Sequence, residues 1–433
     1  MRPALRPLRL PAFRRLALAR FVDELGDWLG EIALALLVLD QTGSPLAIAA
    51  LFLALQFAPA LATPPLVARL ESLHSRVSLP ALSVVQAAAF AGLAVLSTDF
   101  SLPPVIALAA LAGTLAASGR TLTRAAAATV LTPHGLLREG NALLNIEFTV
   151  SAAAGPALAG VVVATAGPST ALFADAASFG AVAILLATAP GLPRAKAEAV
   201  RWTTRLRKGV SYVRSHRQLR LLLTAQAMAF VFFAVVIPIE VVFAKETLDA
   251  GDAGYGALLA SWGGGMVIGG LAFAALRHTE LRILLPASTL AIGCAYLATG
   301  AAPTLFAACV ASAVGGAGNG IQWVALITAV QQLTRADYQA RVISLLESLG
   351  TAMPGVGFVI GGAVAALFSP RTSFVVAGAG VLAVLALATV ALSRADWRGE
   401  PPDDLAPAPE DVLPGAAVSR APGGGALEAP SAK

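Results

Sequence analysis

The chain has 433 residues, of which 57% are hydrophobic and 13% charged, with a formal net charge of +5. A soluble globular domain carries about a quarter charged residues, so this chain has too little solvating surface for two or three water-soluble domains. Its mean hydropathy of +0.77, and apolar runs that match the roughly 20 residues needed to cross a bilayer core, predict an all-α multi-pass membrane protein.

The first apolar run is not expected to be a cleaved leader, because it is long and contains Asp23, Glu24, Asp27 and Glu31. Turn residues and charges mark six spans at about 16–39, 45–68, 77–97, 103–123, 141–165 and 168–190, and six more at 219–243, 254–276, 283–301, 303–329, 341–367 and 371–393. The predicted organisation is a six-helix half at 1–190, a basic linker at 191–218, a second six-helix half at 219–393 and a disordered tail at 394–433. The tail, rich in Pro, Ala and Gly, cannot bury a core.

Placing the N-terminus in the cytoplasm puts 27 of the 30 Lys and Arg on that side, with Lys245 and Arg371 opposite and Arg20 inside the first span. The positive-inside rule then sets both termini and the linker in the cytoplasm of a cell (inner) membrane. The basic pI reads as orientation charge, and no nucleic-acid partner is expected.

A shift of 200 residues aligns Glu147 with Glu347 and Gly155 with Gly355, each on the fifth span of its half. Two related six-helix halves are the organisation of a rocking transporter with its substrate site between them. The clusters Gly155-Pro156 with Gly160, Gly263-Gly264-Gly265, and Pro354-Gly355 with Gly361-Gly362 serve close helix packing. They also fit helices that slide between inward-open and outward-open states.

The first span carries Arg20, Asp23, Glu24, Asp27, Trp28 and Glu31. Asp23, Asp27 and Glu31, four residues apart, line one helix face. Four carboxylates against lipid would cost on the order of 10 kcal/mol, so this face must look into the bundle or onto a water-filled cavity. Arg20 with Asp23 or Glu24 also reads as a buried pair that locks the helix. Asp27 and Glu31 have no basic neighbour within their span and are candidates for proton coupling or substrate contact. Glu147 and Glu347 sit two turns inside the cytoplasmic face, as gate residues or as hydrogen-bond partners of a neighbouring helix. Asp175 is a further buried acid, and Glu240 is placed near the outer interface. Trp28, Asn319 and Gln322 line a cavity on one reading; on the other, Trp28 packs and the two amides join helices.

Cys294 and Cys309 lie in apolar runs and read as buried thiols. His74, His134, His216 and His278 lie in or near loops, and no donor cluster has metal-ligand spacing. No Gly-rich loop ends in Lys-Ser/Thr, so no ATP use is expected. With no nucleophile–base or metal constellation, the chain is not read as an enzyme and needs no cofactor. Uphill work would draw on an ion gradient.

These residues resemble the major facilitator superfamily, in the branch of bacterial efflux permeases that includes macrolide exporters and the enterobactin exporter. The likeness rests on Phe13-Arg14-Arg15-Leu16, Gly26-Asp27-Trp28, Asp40 to Pro45, Asn141-Ala142-Leu143, Gly155-Pro156 with Gly160 (similar to the antiporter motif), Gln331 to Arg341 and Pro354 to Gly362. The loop between the second and third spans departs from the family pattern: Ala68 stands for a Gly and Ser72 for an Asp, with Glu71 beside it and Arg76 retained. The resemblance implies gating by Gly155, Pro156, Gly160, Glu71 and Arg76. It also implies secondary transport by alternating access, with a small-molecule substrate and protons as partners in a monomer. The leading expectation is proton-coupled efflux of small amphiphilic drugs or secondary metabolites. The alternatives are metabolite uptake or facilitated diffusion, and a transport-inactive receptor or scaffold.

Overall fold

The computed structural model describes residues 3–70, 73–192, 202–276, 278–335 and 338–392. Glu71, linker residues 193–201 and the tail 394–433 lie outside the described residues. All regular elements among the described residues are helical: α1 (Pro11–Thr42), α2 (Pro45–Leu70), α3 (Ser75–Leu96), α4 (Leu102–Leu131), α5 (137–166), α6 (168–187), α7 (Trp202–Ser215), α8 (Arg217–Ala234), α9 (Gly251–Ala275), α10 (Leu281–Ala301), α11 (Leu305–Gln332), α12 (Arg341–Leu367) and α13 (Pro370–Leu392).

Among the described residues, nine helices are long and apolar enough to cross a membrane. The longest, Leu137–Ala187, is two passes, because Gly167 at φ 83° breaks it just before Pro168; a side chain would strain this left-handed backbone. α1, diluted by its carboxylates, and α8, which stops before Pro238, supply the other two of twelve passes. Six precede α7 and six follow it.

Local chemistry sets the turns. α1 ends on Gly43 in the left-handed region, and Ser44 then caps α2, its Oγ accepting from the Ala47 N–H at 3.4 Å with Pro45 in the first helical turn. The run from Ile32 to Leu39 is apolar all round and is buried on every face, with no residue more than 4% exposed. α1 is therefore wrapped by its neighbours, and its acids can only face protein or a cavity.

Three expectations are corrected. The fourth helix continues to Leu131, because Ala125–Val130 carries its apolar pattern onward. Arg124 is consequently a helical residue, on the same helix as Arg120. The seventh pass is not continuous to 243: α8 ends at Ala234, the chain turns around Pro238, and Glu240–Val242 leads into a wide π-type turn at Phe243–Thr247. Glu240 is buried among protein side chains. Cys294 is exposed, against the expectation of a buried thiol, and Cys309 is half-buried.

The halves meet along two small-residue seams. Gly256 of α9 packs on α5, where an added Cβ would lie 2.5 Å from Pro156 O and 2.8 Å from Gly160 Cα. Gly362 of α12 packs on α2, an added Cβ lying 2.6 Å from Ala49 Cβ. Close backbone approach of this kind gives helices dispersion contact where lipid offers no hydrophobic drive. At the end of the bundle where α1 finishes, Lys245 Nζ donates to Asp40 Oδ1 of the first half and lies as close to Asp252 Oδ1 of the second, both at 2.6 Å. The Lys245–Asp40 contact ties the two halves together at that face.

Candidate functional site

A cavity of about 440 Å³ lies between the halves, lined by Asp27 and Glu31 of α1, residues of α2, α3 and α4, and Gly350, Thr351 and Pro354 of α12. Its irregular walls have identifiable causes. Residues Leu53–Phe57 of α2 form a π-type turn, a feature found often at functional sites, and it directs Gln56 inward. Gln56 Nε2 donates to Glu31 Oε1 at 3.3 Å. Pro354 interrupts α12 just after Gly350 and Thr351.

Asp27 does not stand alone. Arg120 Nη1 of α4 lies 3.1 Å from Asp27 Oδ2, and both side chains reach the cavity. Arg124, one turn further along α4, also lines it. Both arginines count among the basic charges of the loop after the fourth span, although Arg120 falls within the expected span, and neither is a site residue on the sequence alone. The available signal was the unbroken apolar register through Leu131.

Asp23 lines a separate void of about 20 Å³ with Arg20, Ser83, Gln86 and Arg120, room for roughly one water molecule. Arg20 is buried, with Nη2 3.6 Å from Glu24 and Nε 3.3 Å from Glu147 of α5. Glu147 therefore joins the Arg20 cluster, away from the residues that line the 440 Å³ cavity. Glu347 is exposed on α12, within electrostatic reach of Arg124 across the interface. Asp175 of α6 is fully buried in a notch of α1 left by Gly26 and Gly30, and Ser178 Oγ donates to its Oδ1 at 3.2 Å.

Trp28 packs on Gly155, where an added Cβ would overlap the indole ring. A second cavity of about 240 Å³ is lined by Phe148, Phe230, Phe233, Asn319, Gln322 and Trp323, among others. Gln322 Nε2 donates to Thr289 Oγ1 at 2.8 Å. Phe230 of this cavity packs beside Gly350 of the larger one, so a single aromatic ring stands where the two approach. Arg76 Nε donates to Ala187 O at 3.2 Å, tying α3 to the end of α6.

Comparison with known proteins agrees with this architecture. The family model described as transmembrane secretion effector matches residues 2–413. The multidrug efflux pump Tap of Mycobacterium tuberculosis (strain H37Rv) is 27% identical over 230 residues, covering 51% of this chain and 53% of the pump; Tap of Mycobacterium bovis BCG matches equally. The match thus spans about half the length of these relatives. Among solved structures, the nucleoside transporter NupG has a TM-score of 0.72 at 13% identity, covering 88% of this chain and 99% of its own. A bacterial homologue of the iron transporter ferroportin, in an inward-facing state, has a TM-score of 0.69 at 18% identity and covers 89% and 99%. These structural likenesses carry the fold alone. With twelve helical passes, a cavity between its halves and a family match across nearly its whole length, the chain belongs to the transmembrane secretion effector family of major facilitator superfamily transporters.

Proposed function

We propose that this membrane transporter is a proton-coupled exporter of small amphiphilic compounds, working by alternating access across a cell (inner) membrane. The observation that carries the reading is the acid-lined cavity between the halves, where Asp27 and Glu31 lie beside Arg120. Ionisable groups at mid-membrane depth are costly and mark ion and substrate paths. A proton on Asp27 would loosen its pair with Arg120 and change what the cavity can hold. The similarity to Tap, a multidrug efflux pump, supports export. The surplus of Lys and Arg on the face where α1 begins supports a cytoplasmic assignment for that face. The far face, tied by Lys245 to Asp40 across the halves, is then the outer side.

Purified protein in proteoliposomes, given a panel of amphiphilic drugs under an imposed pH gradient, tests this. Proton-driven accumulation on the acidic side is expected, since protons leaving that side would drive the drug into it. Transport of any compound at a rate indifferent to the gradient removes proton coupling and leaves facilitated diffusion.

A further inference from the structure

The charges of the large cavity are arranged in a line. α1 and α4 are the first and fourth passes and run in opposite directions, and the Arg120–Asp27 contact fixes their register. One turn beyond Asp27 along α1, Glu31 lies nearer the far face. One turn beyond Arg120 along α4, Arg124 lies nearer the basic face. At 1.5 Å rise per residue each step is about 6 Å, so Glu31 and Arg124 stand roughly 12 Å apart along the bundle axis.

The middle of this line neutralises itself, because Arg120 and Asp27 are paired at 3.1 Å. The two ends do not. Glu31 accepts a hydrogen bond from Gln56, and among the described residues neither Glu31 nor Arg124 has an opposite charge within ion-pair distance. Arg124 is nonetheless an exposed guanidinium on the cavity wall. Toward Glu31 the wall offers apolar surface from Phe90, Ala116 and Ala117, and beyond it from Leu55 and Ala112.

A cation alone would leave Arg124 unanswered, and an anion alone would leave Glu31 unanswered. We infer that the cavity recognises an ampholyte: an apolar spine with an ammonium held at Glu31 and a carboxylate, phosphate or sulfonate held at Arg124, the two about 12 Å apart. Guanidinium is suited to the second role because its fork matches planar oxyanions. The assignment names a substrate class for the transport site proposed above and rests on that cavity being the transport path.

Three probes of equal chain length test it against the protein in lipid nanodiscs, with empty nanodiscs as blank: 1-aminodecane, decanoate and 10-aminodecanoic acid, whose termini match the Glu31–Arg124 spacing. Binding is read by isothermal titration calorimetry. The amino acid is expected to bind at least about tenfold tighter than either single-charge probe, the factor expected of one charge-assisted contact. Arg124→Gln should reduce it to the level of 1-aminodecane while leaving 1-aminodecane itself within about twofold, and Arg124→Lys should keep part of the gain. Glu31→Gln should reduce it to the level of decanoate. Glu347→Gln, which removes an acid within electrostatic reach of Arg124, should weaken none of the three. Equal affinity for the amino acid and 1-aminodecane in the unaltered protein overturns the inference. So does an Arg124→Gln effect common to all three probes, or an equal loss in Glu347→Gln, which would make Arg124 part of a latch. Probe selectivity that survives when transport ignores a pH gradient would sink proton coupling alone; a gradient response without this selectivity would sink the ampholyte alone.

Discussion

Arg120 Nη1 of α4 stands 3.1 Å from Asp27 Oδ2 of α1, so the acid at the centre of the first-span stripe is answered by a neighbouring helix. Asp27→Asn keeps the shape of the side chain and removes its titration. Proton-driven transport in proteoliposomes should fall by about a hundredfold, the scale of a lost proton-transfer group, while counterflow without a gradient persists. An unchanged gradient response in Asp27→Asn would move the coupling site elsewhere.

Arg20 illustrates the other use of charge in this bundle. It is buried between Glu24 and Glu147, at 3.6 and 3.3 Å. Removing one partner of a buried ion pair costs up to about 3–5 kcal/mol, and Glu24 remains after Glu147→Gln, so a loss nearer the low end is expected. The measurement is the midpoint of thermal unfolding in detergent. Glu147→Gln should lower it by several degrees and leave proton-coupled transport, per folded molecule, near the unaltered rate.

Lys245 joins the halves on the far face. Burial works against its charge, yet hydrogen bonds to Asp252 and Asp40 raise its pKa above the ordinary 10.5. Stabilisation from a raised lysine is complete below the unfolded value and fades as pH rises through the folded one. Loss of the lysine charge therefore leaves the latch constant through the neutral range and weakens it only above about pH 10.5. Lys245→Met removes the one contact that crosses between the halves, to Asp40, of the size of a partly exposed ion pair, up to about 1 kcal/mol, and should raise the far-open population by up to roughly fivefold. Distances between spin labels placed across the far face would report it; no change in that distribution counts against a latch.

The seam between α5 and α9 depends on bare backbone. A Cβ at Gly256 would lie 2.8 Å from Gly160 Cα, so Gly256→Leu must push the halves apart there. Overpacking of this kind costs typically about 1–3 kcal/mol. Gly256→Leu should hold the far face open and depress transport. Gly264→Leu, at a position where an added Cβ meets nothing within 4 Å, should be near neutral in the same assay.

Much of the fold was legible because membrane insertion is written in composition and order. Apolar run lengths, the Gly43-Ser44-Pro45 turn and the Gly167-Pro168 break mark where helices start and stop. The stripe of Asp23, Asp27 and Glu31 had to face inward, since lipid would penalise it. The second-pass π-type turn that aims Gln56 at Glu31 had no such signal. Neither did the notch that seats Asp175 against Gly26 and Gly30. Both depend on which helices become neighbours.

The sequence by itself therefore determined a twelve-pass helical protein with a helix of acids that could not meet lipid, because hydrophobic length and the cost of burying charge act residue by residue. Only the tertiary structure decided which cation answers which acid. Arg120 and Asp27 are 93 positions apart in the chain, and their meeting is set by the antiparallel register of α1 and α4, a property of packed helices that no local pattern records.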